Sequence, residues 1–421
     1  MMDHVSWIEY IAAALFFLAL IHTFSAKYFV KLAQRESRHA GAWLMLGEVE
    51  VVFGFWAFIL LGFMAVVNGY EKAVEYMDTR DFTEPLFVFV ILVIAGTRPI
   101  LQAAQLLIDL LAKVIPLPGT ITYYFLTLTV VPLLGSFITE PAAMTLAAII
   151  LRDRYFSKKI PETMKYLTIA VLFVNVSIGG VLTSYAAPPV LMVASKWGWG
   201  MDFMLMTFGW KAALAVSVNA LIASWVFRKI LVGMDDLKDD YEIGRVPPLV
   251  MLIHMTTLVL VVIFSHHPFV FMGFFLFFLG FTEAYHRYQS PLMFREGFLV
   301  AFFLAGLVVL GGMQKWWLSP ILSGLDSHTL FGGATLLTAI TDNAALTYLG
   351  SLVDGLSDAS KYALVAGAIT GGGLTVIANA PNPVCFSLLK NHFEHQSINP
   401  MMLFLYALPP TIIAACSFLL L

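Results

Sequence analysis

The chain has 421 residues, 60% of them hydrophobic and only 12% charged, about half the charge share of an ordinary soluble domain. So few charges cannot cover the surface of a water-soluble protein of this length, and a net charge of −3 leaves no basic face for nucleic acid. Composition therefore predicts an all-α polytopic membrane protein. Cys385 and Cys416 are isolated thiols in apolar runs, forming neither a disulfide framework nor a zinc site.

In chain order, the first residues carry acids and no basic n-region. No cleavable signal peptide is expected, and the first apolar run is retained. A helix needs about 20 apolar residues to cross a bilayer. Runs near that length fall at 7–29, 43–67, 86–112, 203–232, 248–265, 269–285, 294–313 and 401–421. Two further regions are interrupted. Region 166–193 contains Gly179-Gly180 and then Pro188-Pro189; region 362–389 contains Gly371-Gly372-Gly373 and then Asn379-Ala380-Pro381-Asn382-Pro383. Each is expected to cross as a broken helix, which gives about ten transmembrane helices.

Segments 120–151 and 330–353 each read as two short apolar arms around a polar tip. Arms of about 10 to 15 residues fall short of a full crossing, so both are expected to be re-entrant hairpins. With both termini outside, 18 of the 24 basic residues lie on the inner side. The outer six are Lys72, Arg80, Lys196, Lys211, Lys315 and Lys361, the bias that the positive-inside rule requires. Trp197, Trp199, Trp316 and Trp317 read as interfacial belt residues.

The two halves repeat. Ile138-Thr139-Glu140-Pro141-Ala142-Ala143-Met144-Thr145 aligns with Ile340-Thr341-Asp342-Asn343-Ala344-Ala345-Leu346-Thr347 at an offset of 202, with five of eight positions identical. Gly179-Gly180 with Ala187-Pro188 then aligns with Gly372-Gly373 and Ala380-Pro381 at an offset of 193. The expected organisation is a first repeat at 1–232, a polar cytoplasmic linker at 233–245 and a second repeat at 246–421. Each repeat has five crossings and one hairpin. An odd number of crossings inverts the second copy, as in secondary transporters that place a site between two halves.

Glu140 and Asp342 sit at equivalent tips. A carboxylate at bilayer depth is costly, so it persists with a function or a partner. Desolvation favours the protonated form of a carboxyl, and a bound cation favours the ionised form. A site that holds either a proton or a cation, in turn, exchanges the two. The alternative is structural: an acid at a helix start also accepts its free amides. Asn343, Asn379 and Asn382, with Thr139, Thr341, Ser136, Thr145 and Thr347, are candidates to complete an oxygen cage for a hard cation. For the hydroxyls the alternative is that they satisfy backbone freed by the breaks. Glu48 and Glu50 lie beside an apolar run and read as interfacial, though awkwardly so. The triple glycine at 371–373 follows no strand, and no phosphate-binding Walker pattern exists, so no ATP site and no cofactor are expected.

The tips Phe137-Ile138-Thr139-Glu140-Pro141 and Ala339-Ile340-Thr341-Asp342-Asn343, each followed by a Gly-Gly broken helix ending in Ala-Pro, resemble the ion transporter superfamily. Within it they are most similar to sodium/proton antiporters related to the arsenite-permease branch. The resemblance implies ten spans, two hairpins, a scaffold and a transport domain, a homodimer and an elevator-like movement. Dicarboxylate transporters of that superfamily carry Ser-Asn-Thr at these tips. Acids there favour cation and proton handling, and carry-over extends to Thr139, Glu140, Thr341, Asp342, Asn343, Gly179, Gly180 and the stretch 372–382, including Gly372, Gly373 and Pro381. The expectation is a secondary transporter of the inner (plasma) membrane exchanging a monovalent cation, Na+ before Li+ or K+, for protons, with Na+ held at Glu140 and Asp342. A sodium-coupled anion carrier is the alternative, and an intramembrane enzyme a remote one.

Overall fold

The computed structural model describes residues 6–35, 38–234 and 246–421, so most of the expected linker at 233–245 lies outside the described residues. No strand occurs among the described residues. Phe58, Val66, Leu276 and Phe277 are exposed and Phe269 is 94% exposed. An apolar surface of this extent is stable against lipid rather than water. The main helices of the first half are α1 (Trp7–Arg35), α2 (Val49–Asn68), α3 (Thr83–Ala95), α4 (Arg98–Val114), α5 (Gly119–Ile138), α6 (Glu140–Leu151), α7 (Glu162–Gly179), α8 (Pro188–Trp197) and α9 (Met201–Val226). Those of the second half are α10 (Pro248–Ile263), α11 (Pro268–Ala284), α12 (Phe294–Gly311), α13 (Ser327–Thr338), α14 (Asn343–Ser351), α15 (Asp358–Gly371), α16 (Asn382–Leu389) and α17 (Pro400–Leu420).

Seven helices among the described residues (α1, α2, α5, α7, α9, α12 and α17) are long and apolar enough to span a bilayer. An eighth is obtained if α3 and α4, bent by 65° at Gly96-Thr97, count as one. α10 and α11 are apolar but shorter. The chain leaves helical geometry after Gly180–Leu182 and resumes at Pro188, and leaves it again after Gly371 to resume at Asn382.

α7 buries 14 of its 18 residues and α15 nine of 14, so both lie in the middle of the bundle, where a helix is apolar on every side. They cross at their broken ends, where Ser177 Oγ donates to the Ile369 carbonyl at 2.7 Å. Below the crossing, Asn175 Nδ2 donates to the carbonyls of Leu128 and Val216, and Asn219 Nδ2 donates to Asn175 Oδ1 and the Pro410 carbonyl. That polar knot ties α5, α7, α9 and α17 together in a region with no water to satisfy stray donors.

Two local expectations change. The first arm of segment 120–151 does not stop at Leu134: α5 runs for 20 residues, about 30 Å at 1.5 Å per residue, with Pro132 inside it. Its length therefore gives no reason for re-entrance on that arm. Gly135-Ser136 reads as a breaker, but Ser136 is buried and bonded across to α7, which holds the helix together. Of the other three arms, α13 and α14, at 12 and nine residues, are shorter than a crossing, whereas α6 runs on without a break as a π-helix over Arg152–Phe156. Trp199, read as a belt residue, is buried instead, within ring distance of Trp197, Phe203 and Phe208.

Candidate cation site

Each polar tip is stitched to the broken helix of its own half. Ser136 Oγ donates to the Gly179 carbonyl at 2.7 Å and accepts from Leu182 N at 2.9 Å, while Thr183 Oγ1 donates to the Ser136 carbonyl at 2.6 Å. In the second half, Asn343 N donates to the Ala378 carbonyl at 3.2 Å, and Thr375 Oγ1 donates to the Ala339 carbonyl at 2.8 Å. Asn382 Nδ2 closes the second break by donating to the carbonyls of Gly372 and Thr375, both at 2.8 Å. These bonds answer the question of where the unwound backbone finds partners.

The halves meet at Glu140. Its side chain is wholly buried, and Asn379 Nδ2, from the break between α15 and α16, donates to Oε2 at 2.8 Å. Oε1 has no hydrogen-bond partner. Gly180 lies against the same carboxylate: a Cβ there would stand 2.5 Å from Oε1 and 2.7 Å from Cγ. Only a glycine leaves the acid its place. At Gly372, which the offset of 193 pairs with Gly179, a Cβ would stand 2.2 Å from Ser177 Oγ and 2.9 Å from Asn343 Nδ2.

Thr139, just before Glu140, has φ 73°, a region that a β-branched residue rarely occupies. Such strain persists where the surroundings impose it, and it collects at ligand sites. It directs a buried hydroxyl, without a partner of its own, beside the acid.

Asp342 differs from Glu140. It is half-buried, and its Oδ1 accepts from Ala344 N at 2.8 Å and Ala345 N at 3.2 Å, an N-cap on α14. The structural alternative weighed from sequence is thus present for this acid. Oδ2 receives no hydrogen bond from the described residues, and Asp342 lies close enough to Glu140 for the two charges to interact. The charge of Glu50 also acts on Asp342, and Glu48 beside it pairs with Arg295.

Several side-chain atoms of the two tips and the second break are buried and without partners: Asn379 Oδ1, Asn343 Oδ1 and Nδ2, Asn382 Oδ1 and Thr139 Oγ1. Thr338, not singled out from sequence, joins them with a buried, unpartnered hydroxyl. Its signal was available, since the 202 offset that pairs the tips also pairs Thr338 with Ser136. Other candidate hydroxyls are committed elsewhere. Thr341 Oγ1 donates to the Leu337 carbonyl at 2.8 Å, Thr145 Oγ1 to Pro141, and Thr347 Oγ1 to Asn343 and Ala344. For these three, satisfaction of backbone is what the geometry displays.

Orphaned oxygens cost free energy unless a guest satisfies them. The donor set is one carboxylate, three amides and hydroxyls, all hard oxygen ligands that suit an alkali cation. No group of three or more His, Cys, Asp or Glu able to hold a metal occurs among the described residues. A cleft of about 10 Å³ reaches the tip, walled by Thr139, Pro141, Pro188 and Ala380 and by no charged residue. That is room for about one water-sized guest.

Over residues 7–421 the sequence matches the family described as "Putative Na+/H+ antiporter". The chain belongs to this family. It is an integral membrane protein of cation/proton antiport type, a transporter and not an enzyme. No curated protein matches the chain.

Proposed function

We propose that this antiporter exchanges Na+ for protons at Glu140, with Asn379, Thr139 and Asn343 as its neutral oxygen donors and Asp342 as a second, partly accessible acid. The observation that carries the reading is the Glu140–Asn379 contact. A buried acid from one half is held by an amide from the other, with Oε1 left without a partner. A carboxyl in that setting binds a proton or a small cation but not both, which is the requirement for coupled exchange under alternating access. The confined, uncharged cleft favours a small cation over an organic anion, because an anion would need room and a positive partner.

The same reading takes the two halves as inverted repeats, with segments 120–151 and 330–353 as re-entrant hairpins and ten crossings in all. The termini lie outside the inner membrane, and the bundle moves in elevator fashion within a homodimer. The polar donors are unequally shared: the offset of 193 places Ala186 opposite Asn379 and Pro189 opposite Asn382. One principal ion position at Glu140 therefore suits the sequence better than a symmetric pair. The test is a screen in proteoliposomes with an imposed pH gradient. Na+ added outside should discharge the gradient, with Li+ or K+ as lesser substitutes. Silence with all three cations from pH 6 to 9, with dicarboxylate uptake in their place, would reject the proposal.

A further inference from the structure

A second cavity, of about 420 Å³, opens beside the site. Its walls are the start of α3 (Glu84 and Phe87), the irregular segment and α8 (Tyr185, Leu191 and Ser195), and the turn before α11 (His266). These parts belong to the face that also carries the α2–α3 connection, where Lys72 is exposed. The cavity and the 10 Å³ cleft at Thr139 share two wall residues, Tyr185 and Leu191. Wide and polar on one side of that pair, the passage is narrow and almost wholly apolar on the other.

Resting on the cation reading above, we propose that this cavity is the aqueous vestibule through which a cation reaches Glu140, and that Tyr185 is the side chain that seals it. The vestibule walls carry an acid, Glu84, and no Lys or Arg, so the local potential gathers cations. Tyr185 lies in the break 183–187, with its ring edge-on to Phe87 at 6.4 Å. Two residues before it, Thr183 is bonded to the Ser136 carbonyl, and Leu182 N is bonded to Ser136 Oγ. Gly180, at the start of the same turn, touches the Glu140 carboxylate. A cation that draws Glu140 towards itself therefore acts on the backbone that carries the seal. Occupancy and closure are mechanically linked through six residues of chain.

The test uses single cysteines in full-length protein with the exposed Cys416 changed to Ser; Cys385 is buried. A small, positively charged, membrane-impermeant thiosulfonate is applied to each side of vesicles in turn. Ser195→Cys should react from the side on which Lys72→Cys reacts, and its modification should block exchange. Ala186→Cys, in the cleft beyond the seal, should react slowly. Adding Tyr185→Ala should accelerate that reaction by about tenfold, as for a passage otherwise open about a tenth of the time. Tyr185→Phe, which keeps the ring, should leave it slow and serves if the alanine variant does not fold. Exchange that survives full modification at 195, or equal reactivity at 186 with and without the ring, overturns the proposal. Labelling requires no transport, so a protein that labels as described yet exchanges no cation refutes the cation reading separately.

Discussion

Replacing Asn379 by Ala removes the only donor to Glu140 Oε2 among the described residues, a contact of 2.8 Å, together with the unpartnered Oδ1 beside it. A hydrogen bond to a charged group contributes about 1.5–3 kcal/mol. At about 1.4 kcal/mol per tenfold in an equilibrium constant, losing it should weaken cation binding roughly 10- to 100-fold. Asn379 lies in an irregular segment, so its truncation removes no helical hydrogen bond and the protein should still fold. The assay is proton release from dye-loaded proteoliposomes against Na+ concentration. Half-maximal exchange should move to a correspondingly higher concentration, while the maximal rate changes less. Thr341→Val is the control, because that hydroxyl is bonded to Leu337 and should leave the half-maximal concentration unchanged. An Asn379→Ala protein with wild-type concentration dependence would refute the assignment of this amide to the ion.

The other expectations concern neighbouring parts. Asp342→Asn retains an effective N-cap on α14, since Asn and Asp cap about equally, so thermal stability should hold while exchange falls. Wild-type exchange in that variant, with Asp342→Ala unstable, would reduce the acid to a cap. Gly180→Ala places a methyl 2.5 Å from Glu140 Oε1 and should abolish exchange. Gly62→Ala, with open space around it, should leave exchange intact. On the loop before α13, bonds from the Thr329 hydroxyl and amide and the His328 amide hold the Asp326 carboxyl below the usual aspartate range. Its contribution is therefore present above that range and lost as the pH falls through the lowered value. Asp326→Asn should flatten this acid limb in melting temperature against pH, and an unaltered limb would contradict the cap.

Much of the architecture is written in local chemistry. Gly-Gly followed by Ala-Pro can hardly continue a helix, and the chain does unwind at 183–187 and 372–381. The matched octets likewise place Glu140 and Asp342 at corresponding positions of the two halves. What local chemistry does not carry is tertiary rescue. Gly135-Ser136 reads as the end of the first arm, yet the bond from Ser136 to Gly179 lets α5 continue to Ile138. The unlike fates of the two acids were equally hidden. A backbone cap on Asp342 and a cross-half amide on Glu140 depend on where residue 379 folds back, which no repeat alignment states. Thr341 and Thr139 occupy matched positions, but only Thr139 takes a left-handed φ and keeps its hydroxyl unpartnered. The hydroxyl of Thr341 returns to its own helix.

Simultaneous recording of radiolabelled Na+ uptake and proton release tests the exchange at Glu140 most directly. It compares wild-type protein with Glu140→Gln, an isosteric change that leaves packing in place. The expected result is counterflow of both ions in the wild type and neither in the variant, at equal protein incorporation. Undiminished counterflow through Glu140→Gln would contradict the central role given to this carboxyl.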